Sequence, residues 1–170
     1  RDFAQLEPRV AVAAAAGFER CSTYILSFSD DLDFKANFER YRRRLGECAR
    51  VLADHGCRLG LEFLGPKTLR DGHRYEFIHT LPGMLELADA IGTGNVGLLL
   101  DAWHWYTAGH TVEDITRCSE RQIVTVHVND ARKMIDAYEQ ARKTNPSLKF
   151  AIMFQQRTYG FWRKIKEMID

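Results

Sequence analysis

The segments 96–100 (VGLLL) and 123–128 (IVTVHV) are apolar at nearly every position rather than at every second one. A strand with one wet face alternates; a strand without alternation is buried on both faces, which is the condition of a parallel sheet covered by helices. Two further segments, 21–28 and 58–64, read as strands from their β-branched and large apolar residues. Between them lie stretches of helical period. Residues 34–55 carry Phe34, Phe38, Tyr41, Leu45, Cys48 and Leu52 on one stripe, with Arg40 and Arg42 to Arg44 on the solvated side. Residues 3–16 and 81–91 are also helical, the latter with Pro82 early and Gly92 just beyond its end. Thr111 opens a short helix, 111–119, with Asp114 as its capping partner. Strand and helix in alternation predict an α/β fold with a parallel sheet.

Composition narrows the class. The chain has 170 residues, 45% hydrophobic and 28% charged, enough for one core and too few for two full domains. No apolar run reaches the roughly 20 residues that span a bilayer, so no membrane partner is expected. With 24 basic and 23 acidic residues the chain lacks the basic surface of a dedicated nucleic-acid binder. Cys21, Cys48, Cys57 and Cys118 form no CxxC pair, which predicts buried free thiols and a reducing, cytoplasmic compartment. Arg1 in place of methionine suggests a fragment or a processed product.

Ligands of parallel α/β sheets bind at the carboxyl ends of the strands. Glu62 stands late in 58–64, Asp101 directly after 96–100, and His127 near the end of 123–128. Two carboxylates and an imidazole at one sheet edge make an oxygen/nitrogen set suited to Mn, Co, Mg or Zn. His104, in an expected loop 102–109, would point into the same mouth, with Trp103, Trp105 and Tyr106 as an aromatic wall for a polyhydroxylated ligand. Taken singly, each residue has a plainer role. A carboxylate after a strand often caps a helix, and a histidine in an apolar strand is often a satisfied core residue. His55, His73, His79 and His110 read as surface groups.

Three segments, LGLEFLGPKTLR (59–70), GLLLDAWHWY (97–106) and VHVND (126–130), in this order, resemble the sugar phosphate isomerase/epimerase family with the xylose-isomerase-like TIM barrel. The resemblance covers residues 1–131 and implies a partial (βα)8 barrel. It implies Glu62, Asp101 and His127 as metal ligands, Glu62 also as a proton-transferring base, and His104 as a sugar contact. The implied substrate is a sugar, sugar phosphate or polyol. A full barrel takes about 250 residues and eight strands, so the chain is expected to leave sheet edges unpaired and to self-associate.

Residues 132–170 differ in character: 133–170 hold 8 Lys and Arg against 4 Asp and Glu. Their helix (133–144), strand (150–154) and basic helix (161–169) resemble a piece of the glucose–fructose oxidoreductase/inositol dehydrogenase family. That family's glycine-rich fingerprint and Glu-Lys-Pro motif are absent, so no nicotinamide site is implied. The change near Asp130–Lys133 suggests a join between two sugar-metabolism sequences. The strand 150–154 ends in Gln155 and Gln156, where the barrel resemblance calls for a fourth carboxylate. A metal-dependent isomerase or epimerase, incomplete in this chain, is the reading that follows. A non-catalytic, weakly metal-binding fragment is the alternative, ahead of an abasic-site endonuclease-like barrel or a sugar dehydrogenase fragment.

Overall fold

The computed structural model describes residues 5–128 and Lys143. The chain divides into units 1–129 and 130–170. The expected helices 133–144 and 161–169 and the strand 150–154 lie outside the described residues, apart from Lys143.

In chain order the first unit runs α1 (Leu6–Ala15), β1 (Arg20–Ile25), β2 (Phe28–Ser29), α2 (Phe34–Asp54), β3 (Arg58–Phe63), β4 (Tyr75–Glu76), α3 (Leu81–Ile91), β5 (Val96–Asp101), α4 (Ala102–Thr107), α5 (Val112–Thr116) and β6 (Ile123–His127). Four of the strands form one sheet in the order β1-β3-β5-β6, and every pairing in it is parallel. This is the α/β architecture of a partial barrel. The expected strand 21–28 is broken in two: β1 ends at Ile25, and β2 leaves the sheet to pair antiparallel with β4, Phe28 opposite Glu76. Phe77 N–H donates to Ser27 O at 2.8 Å, which fixes the chain between the two pieces.

The helix ends follow local chemistry. Asp33 caps α2, its side chain accepting from Ala36 N–H at 2.8 Å. Thr80 caps α3, and the Thr111–Asp114 capping box opens α5 as the sequence predicts. The core lies between the sheet and its helices. Leu59, Leu61 and Phe63 of β3 and Leu98 and Leu100 of β5 meet Ala49 and Leu52 of α2 and Met84, Leu87 and Ile91 of α3. Each large side chain removed from water here contributes about 1.5–3 kcal/mol. One close approach holds β6 in place. A Cβ on Gly97 would stand 2.5 Å from Gln122 O, so only glycine lets β5 lie this near the entry to β6.

Two sequence expectations are corrected. Only Cys57 is buried; Cys48 and Cys118 are half-buried and Cys21 is exposed, because among the described residues β1 is an edge strand with its first five residues open to solvent. His110 is no surface group. Its side chain is 12% exposed, its Nε2 accepts the Leu81 N–H at 2.9 Å at the start of α3, and its ring meets Phe63 edge-on.

Candidate metal centre

Glu62 is the fifth residue of β3, Asp101 the last of β5 and His127 the last of β6. The sheet is parallel, so all three side chains arrive at its carboxyl edge. An irregularity in the ladder decides which residue of β6 arrives beside Asp101. Leu98 pairs with Ile123 but Leu99 pairs with Thr125, so Val124 is an extra residue, a β-bulge. Beyond it the register is Leu100 with Val126 and Asp101 with His127.

The side chains converge. His127 Nδ1 lies 3.8 Å from Glu62 Oε1 and 3.9 Å from Asp101 Oδ2. These separations exceed a hydrogen bond, yet fall within the roughly 4.2 Å that two ligands can be apart when each binds one ion at about 2.1 Å. One ligand atom each from Glu62, Asp101 and His104 also lie within 4.8 Å of one another. The expected set and the set of this second geometric triad therefore share both carboxylates and differ in the histidine. The side chains of Glu62, Asp101 and His127 are 15%, 12% and 25% exposed, so the site is sheltered but open to solvent.

Asp101 caps a helix with one carboxylate oxygen and faces the candidate ligands with the other. Its Oδ1 accepts from Trp103 N–H at 2.8 Å and His104 N–H at 3.1 Å, capping α4, while Oδ2 faces His127. The expected loop 102–109 is thus helical from Ala102 to Thr107, because the site carboxylate is itself a good N-cap. The helix sorts the aromatic wall. Trp103 and Tyr106 are 54% and 70% exposed, whereas Trp105 turns toward the core and donates its indole N–H to Thr111 O at 3.2 Å.

The electrostatics fit a cation. Burial, with the neighbouring Asp101 charge adding to it, pushes the Glu62 carboxyl up to about 7. Two carboxylates held this close are a strained pair that a divalent ion would relieve, so the donor set fits such an ion. Burial lowers His104 below the ordinary imidazole range, partly opposed by Asp101, so the ring is neutral at physiological pH.

Gly65 and Arg70 join the site without having been singled out from the sequence. The Gly65 N–H donates to His104 Nδ1 at 3.3 Å, and Arg70 Nη1 donates to Gly65 O at 3.0 Å. The Gly-Pro step after β3 was the visible signal, but it reads as a strand breaker until α4 is seen lying on it.

Among inosose isomerases, the protein of Halalkalibacterium halodurans is 27% identical over 86 residues, 51% of this chain and 28% of that protein. That of Bacillus subtilis is 26% identical over the same shares. The chain therefore spans a little over a quarter of the length of the curated relatives it matches. Among solved structures, a xylose isomerase domain protein of Alicyclobacillus acidocaldarius superposes with a TM-score of 0.70 at 33% identity, over 76% of this chain and 46% of that one. The IOLI protein, solved with a zinc atom, gives 0.61 at 18% identity, over 75% of this chain and 44% of that one. A D-psicose 3-epimerase, solved with D-fructose, gives 0.60 at 17% over the same shares. The family match covers residues 1–146 and so continues through the Asp130–Lys133 change of character. With most of its length matched and its strands arranged as a partial parallel barrel, the chain belongs to the xylose isomerase-like TIM barrel family.

Proposed function

We propose that this chain is the metal-holding part of an isomerase or epimerase acting on a sugar, sugar phosphate or related polyol. The observation that carries the reading is the convergence of Glu62, Asp101 and His127 at one sheet edge, with His104 beside them. The names of the relatives support the chemistry: inosose isomerases in sequence, and an epimerase solved with a ketose. Glu62, Asp101 and His127 would hold the ion, and the zinc of the IOLI structure supports a divalent one. Mn, Co, Mg and Zn all suit the donor set. When bound, such an ion polarises a carbonyl and its neighbouring hydroxyl.

The chain's own residues supply the rest. Glu62 is the group that would take a proton from the carbon beside a carbonyl and give it back. His104 offers a neutral ring to a substrate oxygen, and the exposed Trp103 gives a face on which a sugar ring can stack. Isomerisation needs a second group to deliver the proton from the other side; the barrel resemblance would put it at Gln155 and Gln156, outside the described residues, and an amide cannot accept a proton there. The proposed outcome is a half-reaction: C–H exchange with solvent through Glu62, without epimerisation.

Mass spectrometry of D-fructose or inosose incubated with the Mn- or Co-loaded chain in deuterated water tests this. Slow deuterium incorporation that Glu62→Gln abolishes, with no epimer formed, is expected. Absence of incorporation at full metal loading contradicts it and favours the second reading, a non-catalytic metal-binding fragment. That second reading draws on the chain's covering 28% of a curated relative and 46% of a solved one. The resemblance of 132–170 to the oxidoreductase family contributes no residue to either.

A further inference from the structure

Two histidines stand near the carboxylate pair, and the backbone treats them differently. His127 comes from the sheet, with Nδ1 facing Glu62 and Asp101. His104 comes from the first turn of α4, and its Nδ1 accepts the N–H of Gly65. A neutral imidazole has one protonated nitrogen and one lone pair. An Nδ1 that accepts a hydrogen bond leaves the proton on Nε2. The ring is then a donor at its outer nitrogen and has no lone pair there for an ion.

What holds Gly65 is as particular. A Cβ on residue 65 would lie 2.1 Å from His104 O, 2.7 Å from Thr107 Oγ1 and 2.9 Å from Ala108 N, so α4 rests directly on this backbone. Any other residue would push the helix, and His104 with it, away from β3. Pro66 follows and favours an extended Gly65. Arg70, its side chain 12% exposed, reaches back to Gly65 O and has its Nε 3.5 Å from Glu76 Oε2. The turn after β3 is therefore clamped from both of its polar groups.

We propose that Gly65, held by Arg70, is a positioning residue that fixes His104 as the Nε2–H tautomer, making it a permanent hydrogen-bond donor to the site and excluding it as a metal ligand. The tautomer stands on this geometry alone. Delivery of the Nε2–H to a substrate oxygen rests on the isomerase reading above.

Nuclear magnetic resonance of the full chain, metal-free and with 15N-labelled histidine and glycine, tests the tautomer without substrate. The His104 signals are identified by their loss in His104→Gln. The wild-type chain is expected to show a protonated Nε2, a bare Nδ1, and scalar coupling across the Gly65 N–H to Nδ1 bond. Gly65→Ala is expected to lose that coupling and to give a mixture of tautomers, and Arg70→Met to weaken it. A protonated Nδ1 or missing coupling in the wild-type chain overturns the proposal, whether or not the variants fold. So does a folded Gly65→Ala that keeps the pure Nε2–H form. Since no substrate is present, failure here leaves the deuterium-exchange result to judge the isomerase reading separately.

Discussion

Asp101 and His127 are cross-strand partners because β6 carries one residue more than β5 between the pairs Leu98–Ile123 and Leu99–Thr125. Without Val124 as the extra residue, simple counting from Ile123 would set Val126 opposite Asp101. Val126 is instead 52% exposed, on the other side of the pleat from His127.

The bulge therefore makes a sharp prediction. The double variant Val126→His/His127→Val keeps one imidazole in β6 but puts it on the opposite face. Calorimetric titration with Co should show it binding no better than His127→Ala. Wild-type affinity in the double variant would show that the register is not what selects the ligand.

Asp101 joins capping to the site, and the two roles can be separated. Asparagine caps helices about as well as aspartate, whereas losing a cap to alanine costs about 0.5–2 kcal/mol. Urea denaturation of the metal-free chain should show Asp101→Ala less stable than Asp101→Asn by about 1 kcal/mol. Equal stabilities would mean that the bonds to Trp103 and His104 N–H contribute nothing.

Glu62 gives the site its pH dependence. Its folded value of about 7 lies above the ordinary glutamate value of 4.5, so the folded chain binds a proton more tightly than the unfolded one. The contribution to stability is fully present below the unfolded value and is lost as pH rises through about 7. The metal-free chain should accordingly weaken between pH 5 and pH 8 by at most about 3 kcal/mol, less where water screens the open side of the site. Glu62→Gln should flatten that slope. Metal affinity runs the opposite way, rising with pH as the proton leaves the ligand. Denaturation at several pH values, with and without Mn, checks both signs.

The outer strands β1 and β6 pair on one side only among the described residues. Tyr24 and Leu26 near one edge and Val126 and Val128 near the other are 59%, 41%, 52% and 41% exposed. Sedimentation velocity should find the isolated chain self-associated, and Tyr24→Lys with Val126→Lys should shift it toward monomer. A sharp monomer boundary for the unmodified chain would contradict this.

Much of this was legible in the residues, for identifiable reasons. Apolar strands without alternation announce a parallel sheet, and the carboxyl-edge rule then singles out Glu62, Asp101 and His127 from spacing alone. Helix ends were readable where side chains cap them, as at Thr111 and Asp114. What was hidden depends on tertiary contact. The bulge at Val124 leaves no mark in composition, and the burial of His110 depends on α3 and Phe63 coming to meet it. The helix α4 was masked because its cap is also a site residue. The role of Gly65 is invisible locally because its partner His104 is 39 positions away.

If Asp101 and His127, with Glu62, form one divalent-ion site, titration calorimetry with Mn or Co at pH 8 will show it. One ion per chain is expected in the wild type. At least about a tenfold loss of affinity, or about 1.4 kcal/mol, is expected in both Asp101→Asn, which keeps the helix cap, and His127→Gln. No ion bound by the wild-type chain, or unchanged affinity in those two variants, would contradict it.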